Sequence, residues 1–199
     1  ARARAGLGLP LGPLVVCVGR LSRQKAQDVL LDAWPSVRSA VPGATVALVG
    51  DGPEEPALRA RGLPGVLFAG WRDDVAEWLA AADVVAIPSR WEGLPLVVLE
   101  AMARGRSVVS ADADGMAESL GADAGAIVPR EDPPALAAAL VERLLDPARA
   151  SEEARSGRRR VEREFDLATA GQAMAEVYAE VLQAAGRGRG RLQPEPAGE

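Results

Sequence analysis

The sequence predicts an α/β fold: a Rossmann-like, doubly wound parallel sheet of about six strands with helices on both faces. Two observations carry this. Short apolar runs alternate with stretches of helical periodicity along most of the 199 residues. The runs also lack strict apolar–polar alternation, as strands covered on both faces do. Strands separated by helix-length crossovers pair in parallel, so repeated βα units build one sheet between two helical layers. A hydrophobic fraction of 48% suffices for such a core, and a charged fraction of 26% is ordinary for a folded domain.

The first strand is expected at residues 14–19 (LVVCVG), then a helix at 27–40 and a second strand at 45–50 (TVALVG). A helix at 55–61 starts with Glu54 and Glu55 at its end that favours negative charge. The third strand, 66–69, leads to a helix at 73–82 opened by Asp73 and Asp74. The fourth, 84–88, leads to a helix at 95–104, with Pro95 where a first-turn proline belongs. Strand 107–111, helix 114–120, strand 126–129 and helix 133–145 complete the alternation. Two more helices follow. The one at 148–164 is strongly charged, and the one at 167–184 has an apolar stripe including Ala170, Met174, Val177 and Val181. From Gly186 the chain is rich in Gly, Pro and Arg, the composition of a disordered tail. The expected organisation is a linker at 1–13, an α/β domain at 14–147, C-terminal helices at 148–185 and a tail at 186–199.

Composition excludes several classes. A net charge of −5 and pI near 5.0 argue against nucleic acid as a partner, which calls for a basic surplus. The single cysteine, Cys17, excludes an intramolecular disulfide, and its apolar setting marks a buried structural thiol. With no histidine, a histidine-based triad is impossible within this chain and no metal site is expected. No run of about 18 apolar residues occurs, and no signal peptide is recognised, so a cytoplasmic protein is expected. The chain does not begin with Met, which suggests an excised domain. Of 23 basic residues all but Lys25 are arginine, Asn is absent and Ile occurs twice, as in a GC-rich coding sequence. Lys25 is either a position that needs a compact point charge or a chance survivor.

Several residues could carry chemistry. Arg20 and Lys25 follow the first strand, at the edge where open α/β sheets bind ligands, and suit phosphate; two solvated loop cations fit equally. Gly50-Asp51-Gly52-Pro53 resembles a ligand-cradling glycine turn lacking its third glycine, or is simply a turn. Trp71 and Arg72 end the third strand and either flank a nucleobase or pack and cap. The richest segment is Pro88 to Ala103. There Glu92 precedes a helix start, Gly93 permits close backbone approach, and Glu100 lies in an apolar run where an unpaired buried carboxylate is costly. Glu100 therefore needs a partner: either a vicinal diol such as a ribose, or Arg104 at i+4. Glu92 reads equally well as a solvated or capping carboxylate.

Taken together and in order, these motifs resemble the family-4 GT-B glycosyltransferases. The family's donor domain carries GR-L-x-x-x-K-G, a G-x-G-P turn, a strand ending F-x-G, and P-S-x-x-E-G-x-P-x-x-x-x-E-A-M. Here they stand as Gly19-Arg20-Leu21 with Lys25, Gly50/Gly52-Pro53, Phe68-Ala69-Gly70, and Pro88-Ser89 with Glu92 through Glu100. The match covers about residues 14–130. Three positions depart: Ala26 replaces the glycine after the lysine, Ser107 a proline at a strand entry, and Asp114-Gly115-Met116 a glycine pair.

The resemblance implies one half of a GT-B architecture. It implies a retaining, metal-independent transfer of a hexose from a UDP-, GDP- or ADP-sugar to an acceptor hydroxyl, with no cofactor. Arg20 and Lys25 would hold the diphosphate, and Glu92 would contact the sugar near the reacting carbon. Glu100 would take the ribose hydroxyls, and backbone amides across Gly93, Leu94, Pro95, Leu96 and Val97 would bind sugar or phosphate. Trp71 and Arg72 would neighbour the base, beside Gly50. The acceptor site would lie on an N-terminal domain that this chain lacks, leaving it weak or inactive alone. Alternatives are a GT-B-fold nucleotide-sugar epimerase, a nucleotide-binding module or subunit of a split enzyme, and an unrelated flavodoxin-like domain. The Arg158–Arg160 cluster and the arginines at 187–191 could meet anionic lipid. A solvated helix is favoured, because Glu152, Glu153, Glu162 and Glu164 offset the cluster.

Overall fold

The computed structural model describes residues 2–93 and 95–189. Its strands are β1 (Leu14–Val18), β2 (Thr45–Val49), β3 (Val66–Gly70), β4 (Val84–Ile87), β5 (Ser107–Ala111) and β6 (Gly125–Val128). Each end lies within one residue of its expected position. All strand pairs are parallel, in the order β3-β2-β1-β4-β5-β6. The register runs from Leu14 opposite Thr45 to Val18 opposite Val49, and Val15 lies opposite Val84.

The helices are α1 (Arg2–Gly6), α2 (Gln27–Ala40), α3 (Glu55–Ala60), α4 (Val75–Ala81), α5 (Leu96–Ala103), α6 (Met116–Leu120), α7 (Pro133–Leu145), α8 (Pro147–Glu164) and α9 (Leu167–Arg189). Side chains alternate across a strand, so a doubly covered strand needs apolar residues at both parities. In β1, Val15 and Cys17 join the core beneath α2 and α7, with Trp34, Leu30 and Leu140. Leu14 and Val16 join the other core, with Trp78 of α4, Met102 of α5 and Met116 of α6. Pro35 lies inside α2 and removes a backbone donor. Burial of Trp34, whose Nε1 donates to the Pro64 carbonyl at 3.1 Å, holds the helix through it. Asp132 caps α7 by accepting from the Ala135 amide at 2.9 Å.

The differences from expectation have local causes. A short helix, α1, occupies part of the expected linker. Arg4 anchors it, with Nη2 2.6 Å from Asp83 and Nε donating to the Ala81 carbonyl at 2.8 Å. Helix α4 begins at Val75, not 73, because the Asp74 carboxylate is taken by Arg72 and Trp78. Helix α6 begins only after Gly115, which sits at φ 75. Pro95 precedes the first residue of α5 instead of occupying its first turn. Helix α9 continues to Arg189, past the expected end at 184 and into the stretch expected to be disordered; the rest of that stretch, 190–199, lies outside the described residues.

The chain divides into Ala1–Val161 and Glu162–Glu199. Most of α8 therefore belongs with the sheet. Glu153 explains this: expected to offset the Arg158–Arg160 cluster, it is instead buried. It accepts from Arg143 Nη2 and Nε at 2.7 and 2.9 Å, and Ser107 Oγ also donates to it. Ser107, a departure from the family pattern, thus ties β5 to α8. In the second unit, Met174, Val177, Tyr178 and Val181 form an exposed apolar stripe on α9. Among the described residues no helix is long and apolar enough to cross a membrane.

Burial pushes the Cys17 thiol up to about 12, partly offset by the charge of Lys25. The folded value lies above the ordinary value of ~8.5, so the unfolded chain ionises first. Stability should fall as pH rises from ~8.5 toward 12, and Cys17→Ala should flatten that slope in urea unfolding at stepped pH. Ala26 sits in the left-handed region, at φ 52 and ψ 39, fully buried between a short 3-10 turn at Arg23–Lys25 and α2. The left-handed conformation costs a non-glycine residue ~1–2 kcal/mol, and the buried methyl contributes ~0.8 kcal/mol. Ala26→Gly should therefore raise unfolding free energy by about 0.5 kcal/mol in chemical denaturation.

Candidate functional site

The winding of the sheet reverses between β1 and β4, which are neighbours. The loops leaving their carboxyl ends diverge there, and such a switch point is where open α/β sheets leave a crevice. Two cavities flank the end of β1 and share Val18 as a wall.

The larger, about 420 Å³, is lined by Arg20, Gly50, Asp51, Trp71, Arg72 and others. Its floor is two loops lying backbone to backbone. The Gly19 amide donates to the Val49 carbonyl at 2.9 Å, and the Leu21 amide to the Asp51 carbonyl at 2.7 Å. A Cβ on Gly50 would stand 2.2 Å from the Gly19 carbonyl oxygen, and its φ is 132. Glycine is thus required by close backbone approach, the turn reading, and the same residue lines the cavity. Trp71 is 70% exposed. Arg72 donates through Nε and Nη2 to both oxygens of Asp74 at 2.8 and 2.6 Å, and Trp78 Nε1 donates to Asp74 at 3.2 Å. The hydrogen bonds from Arg72 hold the Asp74 carboxyl below the usual carboxylate range. Arg72 is therefore a braced wall, and Trp71 presents the open face. Arg20 is exposed, and its guanidinium has no partner among the described residues.

The smaller cavity, about 220 Å³, is lined by Lys25, Ile87, Glu92, Pro95, Leu96 and Val97 along with Val18. Lys25 Nζ donates to Glu92 Oε1 and Oε2 at 2.7 and 2.9 Å, and Ser89 Oγ donates to Oε1 at 2.6 Å. Glu92 is thus no solvated loop carboxylate: its side chain is 6% exposed, against 25% for Lys25. Oε1 takes two donors and Oε2 one, so Oε2 keeps acceptor capacity. Among the described residues no side chain caps α5. The first-turn N–H groups and positive dipole end are therefore left to a ligand or solvent beside this cavity.

Glu100 requires a correction. Its apolar surroundings in sequence implied burial and a partner, yet it is exposed and forms no pair with Arg104 among the described residues. Helix α5 buries Val98, Ala101 and Met102, whereas Leu96 and Glu100, four residues apart, share an exposed face. Glu100 lines neither cavity and sits one turn along from Leu96 on that face. Gly93 is exposed, with no atom within 4 Å of a Cβ placed there, and also lines neither. Leu94 lies outside the described residues. Gly115, kept from the departed glycine pair, lets its loop approach the Gly93 carbonyl, 3.0 Å from a Cβ built on it.

Arg90 was not singled out in the sequence. Its Nη1 and Nη2 donate to the two Asp28 oxygens at 3.0 and 2.7 Å, and its Nε donates to Glu131 at 2.8 Å. Nη1 also donates to the Arg23 carbonyl at 2.8 Å, and the Arg90 amide to the Gln24 carbonyl at 2.9 Å. Partial burial opposes ionisation of Asp28, but the hydrogen bonds and charge of Arg90 outweigh it and hold that carboxyl low. One arginine among many carries no sequence mark, and its partners lie 41 and 62 residues away.

The model of the family described as glycosyl transferases group 1 matches residues 12–146. Glycogen synthase of Mycobacterium tuberculosis is 33% identical over 187 residues, covering 90% of this chain and 44% of that protein. The GDP-mannose-dependent monoacylated alpha-(1-6)-phosphatidylinositol monomannoside mannosyltransferase of Corynebacterium glutamicum is 34% identical over 177 residues, covering 83% and 46%. The crystal structure of Anabaena HepE in complex with UDP superposes with a TM-score of 0.82 at 29% identity, covering 90% of this chain and 52% of that one. The chain thus spans about half the length of the curated relatives it matches. By the family match, and with the six-stranded parallel sheet in agreement, the chain belongs to the glycosyl transferases group 1 family.

Proposed function

We propose that this chain is the donor-binding domain of a retaining hexosyltransferase. It would move a hexose from a nucleotide-diphosphate sugar to an acceptor hydroxyl supplied on a second, N-terminal domain. The observation that carries the reading is the Lys25–Glu92 pair, set at the switch point beside the uncapped start of α5 and next to the cavity bordered by Arg20. Anions bind where a helix N-terminus and basic side chains converge, and sugar hydroxyls bind carboxylates.

In this reading Arg20 and Lys25 neutralise the diphosphate as it leaves, with the first-turn amides of α5 adding partial positive charge. Glu92 takes a sugar hydroxyl through Oε2, close to the reacting carbon. Trp71 offers a face to the base, with Arg72 and Gly50 beside it. Glu100 reaches the ribose diol from the exposed face of α5. HepE has been crystallised with UDP and the Corynebacterium relative is named for GDP-mannose, so both nucleotides are candidates, with ADP third. Glycogen synthase and the mannosyltransferase both move hexoses, which supports a hexosyltransferase.

A thermal-shift panel with UDP, GDP, ADP and their sugar conjugates, with EDTA present throughout, tests the reading. One nucleotide should stabilise the protein, by about 2.7 kcal/mol at a hundred times its dissociation constant. Arg20→Ala and Glu100→Ala should remove that shift, and Glu92→Gln should remove the increment due to the sugar. Absence of any shift at millimolar nucleotide, with the N-terminal half supplied in trans, would refute a donor site. Transfer by the chain alone should be slow or absent, and rapid turnover would refute the need for a second domain.

A further inference from the structure

We infer that Arg90 is a positioning residue of this site: it locks the turn carrying Lys25 onto the loop carrying Glu92, so the pair is in register before a ligand arrives. The inference rests on the donor-site reading. Lys25 and Glu92 stand on separate loops, after β1 and β4, and loops rooted on different strands shift relative to each other unless tied. Arg90 ties them on both sides of Lys25. Ahead of it, Arg90 holds the carbonyls of Arg23 and Gln24. Beyond it, the guanidinium fork takes both oxygens of Asp28 in the first turn of α2. The remaining edge, Nε, fixes Glu131 in the loop before α7. Four hydrogen bonds to three partners, on three segments, leave a side chain only 16% exposed. Gln24 Nε2 adds a return bond to the Trp91 carbonyl at 3.2 Å. Arg90 lines neither cavity, so it acts through the residues it holds.

Backbone strain points to the same place. Among the described residues, the non-glycine positions with positive φ are Ala26 and Glu131, at 52 and 55. Both lie in segments that Arg90 ties, one next to Lys25 and the other its own ion-pair partner. Such conformations persist where surrounding contacts over-determine them, and they cluster where geometry must be held. A lysine at position 90 would keep the charge but lose the planar fork and most of the side chain's hydrogen bonds.

The test combines two readouts on the full chain. First, affinities for UDP, GDP and ADP are measured by calorimetry for wild type, Arg90→Ala, Arg90→Lys and Asp28→Asn. Asp28→Asn keeps Arg90 and alters only the fork's partner, which covers the case where Arg90→Ala folds poorly. Each variant should bind the recognised nucleotide about ten-fold more weakly, and in a Lys25→Ala background the loss from Arg90→Ala should shrink below about two-fold. An equal loss in that background would mean general destabilisation and would overturn the inference. Second, Lys25 is the sole lysine, so amine-reactive labelling followed by mass spectrometry reads its pairing with Glu92 directly. Labelling should be several-fold faster in Arg90→Ala and in Asp28→Asn than in wild type. Unchanged labelling overturns the inference whatever the affinities. If wild type binds none of the three nucleotides, the donor reading fails by itself, and the labelling rates still decide whether Arg90 positions Lys25.

Discussion

Parallel strands can be joined only by crossovers, and where β1 and β4 lie side by side those crossovers leave in opposite directions. Hydrogen bonding sets the two strands about 4.8 Å apart, while the chain between them builds β2 and β3 on the far side of β1. Lys25 and Glu92, 67 residues apart, meet for that reason. The rest of the site depends on the same constraint. The β2 loop must pack backbone to backbone against the β1 loop to close the floor, which excludes a side chain at Gly50. The loop leaving β4 leads into α5, which brings that helix's uncapped first turn beside Glu92.

Charge in this molecule falls into committed and open groups. Arg4, Arg72, Arg90 and Arg143 are each bound to a carboxylate in a fixed geometry. Two of these guanidinium groups, Arg4 and Arg90, join segments distant in sequence, and a point charge would do that less well. Arg20 and Glu100 remain without side-chain partners among the described residues, one near each flank of the crevice. Lys25 and Glu92 pair with each other, with Glu92 Oε2 keeping acceptor capacity. A ligand bearing both phosphate and hydroxyl groups suits such a set, since its anionic part can engage the cations while its hydroxyls donate to carboxylates.

The departures from the family pattern leave the six-stranded parallel sheet intact, and each has its own place in the fold. Ala26 adopts the left-handed conformation that a glycine would take with less strain. Ser107 supplies a hydroxyl to the buried Arg143–Glu153 pair. Gly115 alone keeps the close approach to the Gly93 loop.

The fold was legible in the sequence because its signals are local. A strand covered on both faces is apolar at both parities, and a helix shows its period within a dozen residues, so element type and order could be read from residues 14 to 145. The motif residues could be placed at strand ends for the same reason, since Arg20, Trp71 and Glu92 each follow an apolar run. What tertiary structure alone decided was pairing and exposure. An apolar neighbourhood in sequence put Glu100 in the core, but a helix turns its residues through 100° each, and this one faces outward. Glu153 looked like one charge among many on a solvated helix until α8 packed and buried it. Arg90 looked like any arginine until three segments folded around it. The partner of a charged side chain is set by which segments the sheet brings together, and that information is distributed over the whole chain.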